Sequence, residues 1–118
     1  MVESPDFWDY LDELVQNRRL VIDRPQSSRH LRFPELVYSL DYGYLAGTTS
    51  SDGHGVDVWL GTLTPPKLDS VLITVDLYKR DVEIKILLGC TPAEKEQAQV
   101  ASSRKWMAAE LIMRRSDG

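Results

Sequence analysis

The densest group of chemically capable side chains lies in residues 38–59, where the sequence reads YSLDYGYLAGTTSSDGHGVDVW. Asp52 and Asp57 are five positions apart, and Gly53 and Gly55 between them permit a tight backbone that can direct both carboxylates at one point. Converging carboxylate oxygens are the ligands that Mg²⁺ and Ca²⁺ prefer. The segment is therefore predicted to bind a hard divalent cation.

Positive charges and a further carboxylate lie in two other parts of the chain. A polar stretch, residues 24–34, holds four groups that could face an anion, which are Arg24, Arg29, His30 and Arg32, and guanidinium groups bind phosphate oxygens through paired hydrogen bonds. A solvated loop is the alternative interpretation of this stretch. Glu83 and Lys85 share one face of a predicted strand, which is either a solvated sheet face or part of a site. With nearby tyrosine hydroxyls, these groups suggest a site for a metal-bound polyanion.

Length, charge and cysteine content limit the class of protein. The 118 residues predict a single domain, residues 1–118, and the formal net charge of −4 disfavours a nucleic-acid partner. One cysteine cannot form an intramolecular disulfide and fits a reducing compartment. The N-terminus lacks the pattern of a secretory signal, and no apolar run approaches the ~20 residues of a membrane span. We therefore expect a cytoplasmic protein with no membrane partner.

The elements that position these groups are predicted from periodicity and breaker residues. Ser4 and Pro5 indicate a helix start, and the apolar positions that follow form one helical stripe that ends near residues 17–19. Thr91 and Glu94 flank a proline in a capping-box pattern, so a second helix begins near residue 92. A serine pair leaves open whether that helix continues or is followed by a short second element. The predicted strands, of which the last two form a hairpin, are residues 20–22, 56–60, 71–78 and 81–88.

Four side chains have both a structural and a functional interpretation. Cys90 has no histidine nearby in the sequence and is expected to be a buried apolar side chain rather than a nucleophile. Trp59 and Trp106 are expected to pack in the core rather than to stack on a ligand. His54 is either a functional imidazole or a turn residue that tolerates a positive φ.

The central segment resembles the signature region of the family I soluble inorganic pyrophosphatases. The family pattern is an Asn-Tyr-Gly-Tyr-like element, a threonine a few residues later, and then Asp-Gly-Asp-Pro-hydrophobic-Asp; residues 38–58 match it without a gap. Less specifically, IDRPQSSRHLRF resembles the family's upstream segment and DVEIKIL resembles its Asp-x-Lys strand. The resemblance implies an α+β fold built on a small, twisted OB-type β-barrel, with an N-terminal and a C-terminal helix.

The resemblance also implies a Mg²⁺-dependent hydrolysis of pyrophosphate, or of a related phosphorylated small molecule, and a role for each matching residue. Asp57 and Tyr42 are implied as catalytic residues, with Asp57 also a metal ligand, and Tyr42 is implied to contact phosphate or the attacking water. The other implied metal ligands are Asp52 and Glu83. The implied phosphate-binding residues are Arg32, Tyr38 and Lys85, and Arg29 joins them as a candidate from its own polar stretch.

Two departures from the family pattern lead to three interpretations. His54 occupies the position of the middle aspartate, and a hairpin that carries a phosphate-binding arginine is missing before Tyr38. The chain is accordingly predicted to be a divergent hydrolase in which His54 is the base or positions the water, with a non-catalytic phosphate-binding relative as the alternative. An OB-type oligonucleotide binder is a third interpretation, which the negative net charge disfavours. Strand edges left by the missing hairpin suggest a homo-oligomer.

Overall fold

The computed structural model describes residues 6–115, which form two helices and six strands. This composition confirms the predicted α+β class, and no helix within these residues is long and apolar enough to span a membrane. The elements are α1 (Phe7–Gln16), β1 (Leu20–Arg24), β2 (Asp41–Leu45), β3 (Asp57–Leu60), β4 (Leu68–Asp76), β5 (Asp81–Leu88), α2 (Pro92–Ala101) and β6 (Met107–Met113).

The strands form one mixed sheet in the order β1-β2-β3-β5-β4-β6. Strands β3 and β5 run parallel, and the other neighbours run antiparallel. Because β1 and β6 are the two edges, the described strands do not close into the predicted OB-type barrel. A barrel has one interior face, whereas both faces of this sheet carry core clusters: α1 packs on one, and the end of α2 contributes to the other.

Helix α1 covers one face of the sheet. The Asp6 side chain caps it by accepting hydrogen bonds from the backbone N–H groups of Trp8 and Asp9. The predicted start at Ser4 and Pro5 lies outside the described residues, and the helix begins at Phe7. Its apolar stripe packs against a buried cluster formed by Leu45, Val58, Leu68, Ile86 and Leu88.

Helix α2 confirms the predicted capping box, since Thr91 and Glu94 exchange backbone and side-chain hydrogen bonds of 2.9 and 3.2 Å. The helix ends at Ala101, and strand β6 then pairs with β4 along its whole length. Of the two alternatives for this region, a helix followed by a second element is therefore correct, and the last described element is a strand rather than a C-terminal helix. Pairing with β4 satisfies backbone groups that a longer helix would leave exposed at that edge.

The predicted hairpin of β4 and β5 is confirmed, but its charged face points inward. Glu83 and Lys85 are only 9% and 7% exposed, whereas Val82 and Ile84, on the opposite face, are 57% and 40% exposed. The alternative of a solvated charged face is therefore wrong. The burial places two ionisable side chains among the residues that face α2.

A bulge in β1 redirects its last residues. Val21 pairs with Tyr44, but the register slips after Ile22, so that Arg24 rather than Asp23 stands opposite Tyr42. An extra residue in one strand rotates the following side chain to the other face of the sheet. The bulge therefore turns Arg24 toward the face that carries Tyr42.

The close approach of β1 to β2 at this bulge requires a glycine at position 43. A Cβ at this position would overlap the carbonyl oxygen of Val21 and touch the Cα of Ile22. Gly43→Ala is therefore expected to lower the free energy of unfolding by about 2–3 kcal/mol, because the backbone of β1 must move. Urea denaturation followed by circular dichroism measures this loss.

Gly53→Ala is the matched control for that experiment. Gly53 has a φ of 82° with open space around it, so its substitution adds only the backbone strain of about 1 kcal/mol. Equal losses for the two variants would contradict the steric role of Gly43.

Candidate functional site

A cavity of about 790 Å³ opens on the face of the sheet that carries the end of α2. It brings together eight of the nine side chains predicted from the sequence, which are Arg32, Tyr38, Tyr42, Asp52, His54, Asp57, Glu83 and Lys85. Arg29 is the exception: its guanidinium donates to the carbonyl oxygen of Pro34 at 3.0 Å, and it does not line the cavity. Arg29 is therefore excluded from the candidate site.

Lys85 lines the cavity, and its side chain is almost fully buried. Its Nζ is 2.8 Å from Asp57 Oδ2 and 3.5 Å from Glu83 Oε2, and it donates a hydrogen bond of 2.8 Å to Tyr42 Oη. The parallel pairing of β3 and β5 creates this arrangement, because it sets the start of β3 beside the middle of β5. Three strands thus supply oxygen atoms to one buried cation.

Burial determines the protonation states around Lys85. Burial alone would lower the pKa of Lys85, but the oxygens of Tyr42 and Asp57 outweigh it, and the pKa is raised, so the ammonium is retained. Burial raises the pKa of Tyr42 far above its usual value, which keeps the hydroxyl neutral. Burial also raises the pKa of Glu83, against the opposing effect of Lys85. Glu83 consequently takes up a proton at a higher pH than an ordinary glutamate does.

The loop between β2 and β3 holds Asp52 and His54. Asp52 Oδ1 accepts hydrogen bonds of 2.9 Å from the Ser50 hydroxyl and from the His54 backbone N–H. These bonds outweigh the opposing effect of burial and lower the pKa of Asp52, so that it remains a carboxylate. The residues of this loop with a positive φ are Gly47 and Gly53, not His54, whose side chain is exposed and lines the cavity. The interpretation of His54 as a residue that tolerates a positive φ is therefore wrong.

Arg24 belongs to the polar stretch predicted to offer phosphate-binding guanidinium groups, and it lines the cavity, although the resemblance assigns it no role. Its Nη1 donates a hydrogen bond of 2.8 Å to Tyr38 Oη, and its guanidinium lies 5.7 Å from the Tyr38 ring centroid. Strand alternation alone would place Arg24 on the face of the sheet opposite to Tyr42. The bulge in β1 brings Arg24 to the same face as Tyr42. The neighbouring His30 Nδ1 accepts hydrogen bonds from two backbone N–H groups, and burial and Arg24 lower its pKa. His30 is therefore a neutral structural residue.

The oxygen donors suit Mg²⁺ chemically, although their present geometry serves Lys85. Among residues 6–115, no group of three or more His, Cys, Asp and Glu side chains is arranged to hold a metal ion. Asp52, Asp57 and Glu83 nevertheless line one cavity, and carboxylate oxygens are the ligands that Mg²⁺ selects. The residue types thus fit Mg²⁺, and an ion at Asp57 and Glu83 would compete with Lys85 for their oxygen atoms.

The two tryptophans, both expected in the core, differ in burial. Trp59 is 3% exposed and packs in the core, as predicted, with its indole N–H unpaired within residues 6–115. Trp106 is 54% exposed and lines the cavity, so its assignment to the core is wrong. It lies in the turn between α2 and β6 rather than on a helix face. Cys90 is buried, and burial raises its pKa to about 11, which agrees with the predicted apolar role.

Comparison of the chain with protein-family models and with curated proteins finds no match. Any function must therefore be argued from the side chains in the cavity.

Replacing the central cation tests its role in the fold. Lys85→Met is expected to lower the free energy of unfolding at pH 7 by about 3 kcal/mol, because Asp57 and Glu83 lose their buried partner. The pKa of Glu83, already raised by burial, rises further without Lys85. Protonation then favours the folded state, so the stability loss shrinks as the pH falls from 7 toward 5. Urea titrations at both pH values in a chelating buffer measure the difference.

Lys95→Met is the control for this prediction. Lys95 is as buried as Lys85, but its partner Asp69, at 3.1 Å, remains partly solvated. The loss in this variant is expected to be smaller and to change little with pH. A pH-independent loss in Lys85→Met would contradict the proposed pairing.

Proposed function

We propose that the protein is a Mg²⁺-dependent phosphoanhydride hydrolase of the inorganic pyrophosphatase type, which cleaves a diphosphate with water. The convergence of carboxylates and cations in one cavity carries this proposal. Arg24 and Arg32 line the cavity beside Asp52, Asp57 and Glu83, and neither arginine forms an ion pair within residues 6–115. The resemblance of residues 38–58 to the pyrophosphatase signature supports the same reaction.

Asp52, Asp57 and Glu83 would hold the Mg²⁺ ion. When bound, the ion neutralises phosphoryl oxygens and makes water a better nucleophile. Lys85 would then exchange its contact with Asp57 for a phosphate oxygen, since a buried ammonium needs a negative partner. The neutral Tyr42 hydroxyl would remain a donor to the same anion.

The remaining residues bind and orient the substrate. Arg24, fixed against Tyr38 by a hydrogen bond of 2.8 Å, is assigned to the leaving phosphate, because a guanidinium retains its charge and offers paired donors. Arg32 adds charge from the loop before β2. His54 is assigned as the proton acceptor for the attacking water, because its exposed imidazole lines the cavity and histidine is the most frequent general base.

A phosphate-release assay with inorganic pyrophosphate tests the proposal. Release is expected only with Mg²⁺, and it is expected to be abolished in Asp57→Asn and Asp52→Asn and to fall by about 10²-fold or more in His54→Ala. Asp52 makes no hydrogen bond or ion pair with Lys85 in the described residues, so its variant keeps the hydrogen bonds of Lys85 to Asp57 and Tyr42. Thermal unfolding of each variant verifies that it is folded.

Glu96→Gln is the control, because Glu96 is exposed on α2 and lies outside the cavity. Its activity is expected to equal that of the unmodified protein. Absence of phosphate release from every diphosphate tested would overturn the hydrolase proposal.

A second candidate function is binding of a phosphorylated small molecule without turnover. The position of Lys85 favours it, since an ammonium that already pairs with Asp57 and Glu83 competes with a metal ion for the same oxygens. In that case a ligand at ~100 times its Kd raises the free energy of unfolding by about 2.7 kcal/mol, with no phosphate released. Thermal stabilisation by pyrophosphate without phosphate release supports this second function, and stabilisation with release supports the hydrolase. The cytoplasmic location, the lack of a nucleic-acid partner and the homo-oligomer remain predictions from the sequence.

A further inference from the structure

We propose that the cavity accepts an organic diphosphate whose organic part carries an aromatic ring, as in a nucleoside diphosphate, and that Trp106 stacks on that ring. This inference rests on the proposed function for the phosphate-binding half of the cavity. It assigns a ligand group to the other half of the cavity, which is formed by the turn before β6, the β4–β5 turn and the loop before β2. An inorganic anion would not contact this half.

The size of the cavity exceeds what the phosphate groups require. Its volume of about 790 Å³ falls within the range of about 300–1,000 Å³ that is typical of sites for drug-sized organic ligands. The groups assigned to phosphate and metal cluster around Asp57, Glu83 and Lys85 at one end. Other lining residues come from the end of β4, the β4–β5 turn and the turn before β6.

The lining changes in character at that far end. Trp106 and Tyr78 are 54% and 64% exposed, and both line the cavity together with Phe33. Large apolar side chains exposed on a concave surface mark binding sites, because their burial by a ligand is favourable. Lys79 and Arg104 line the same end and form no ion pair within residues 6–115. Aromatic surface between unpaired cations suits an anionic ligand with a flat ring.

The strand register sets the spacing between the two halves. Glu83 pairs with Thr74, and Thr74 pairs with Ala109 on the far side. The carbonyl oxygen of Trp106 accepts a hydrogen bond from the N–H of Leu77, three residues beyond Thr74. The backbone of Trp106 therefore lies about 10 Å along the strands and about 10 Å across them from Glu83, or roughly 14 Å away. This separation is comparable to the length of an extended nucleoside diphosphate.

Two contacts hold the walls of this end together. Lys105 Nζ is 3.1 Å from Glu35 Oε1 and 4.4 Å from the centroid of the Phe33 ring. They connect the turn that carries Trp106 to the loop before β2. The aromatic half is therefore a formed surface beside the phosphate half.

The reaction on such a substrate balances with water as the co-reactant. The water oxygen forms a bond to the terminal phosphorus, and the bond from that phosphorus to the bridging oxygen breaks. The bridging oxygen keeps the electron pair and leaves on the nucleoside monophosphate. One water proton passes to His54 and then to solvent, and the products are inorganic phosphate and the monophosphate.

The test compares adenosine diphosphate, inorganic pyrophosphate and geranyl diphosphate in a Mg²⁺-dependent phosphate-release assay. We expect the highest kcat/KM with adenosine diphosphate, and Trp106→Ala is expected to lower that value about tenfold, mainly through KM, without changing the value for pyrophosphate. Trp106→Phe is expected to restore most of the loss, since a phenyl ring can also stack. Tyr10→Ala is the control, because Tyr10 is an exposed aromatic residue on α1 and lies outside the cavity.

Calorimetric binding of the non-hydrolysable α,β-methylene analogue of adenosine diphosphate separates failure of this inference from failure of the proposed function. Hydrolysis of pyrophosphate, with the analogue unbound and adenosine diphosphate untouched, would overturn the inference and leave the hydrolase function standing. Trp106-dependent binding of the analogue, with no release from any diphosphate, would support the ligand class and overturn hydrolysis. A preference for geranyl diphosphate, or unchanged kinetics with adenosine diphosphate in Trp106→Ala, would overturn the aromatic assignment.

Discussion

The burial of the Lys85 ammonium is the constraint on which the rest of the structure depends. Removing such a cation from water costs several kcal/mol unless negative and polar partners surround it. Here the partners Asp57, Glu83 and Tyr42 come from three different strands. The pairing of β2, β3 and β5 therefore stabilises the charged form of Lys85, and the contacts of Lys85 in turn stabilise that pairing. The parallel contact between β3 and β5 matters most, because it sets Asp57 beside Lys85.

This constraint determines what the other face of the hairpin exposes. Successive residues of a strand point to opposite faces, so burying Glu83 and Lys85 forces Val82 and Ile84 outward. Helix α1 packs against Ile86 and Leu88, farther along β5, which leaves the outer pair uncovered by the described residues. Exposed apolar surface is thus the structural consequence of a charged interior, and it lies on the face opposite the candidate site.

The candidate site combines two kinds of surface in one cavity. One end holds carboxylates, Lys85 and the arginine that the bulge in β1 redirects, and it suits phosphate groups with a divalent cation. The other end holds Trp106 and its aromatic neighbours, fixed by the contacts of Lys105 with Glu35 and Phe33. The proposed hydrolysis and the proposed organic diphosphate each use one end, so a single ligand that spans the cavity would engage both.

The sequence by itself determined the local features. Helix stripes, the capping box at Thr91, the β4–β5 hairpin and the group of residues 38–58 each follow from spacing or from residues close in the chain, and eight of nine predicted side chains do meet in one cavity. The tertiary structure alone decided the open sheet, the strand β6, the position of Arg24 and the exposure of Trp106. Each of these depends on which strands pair and in which register, and pairing between distant segments leaves no periodic signal in either one. The same pairing decided that the charged face of β5 is buried, because Asp57 and Tyr42 come from other strands and stabilise the buried Lys85 together with Glu83.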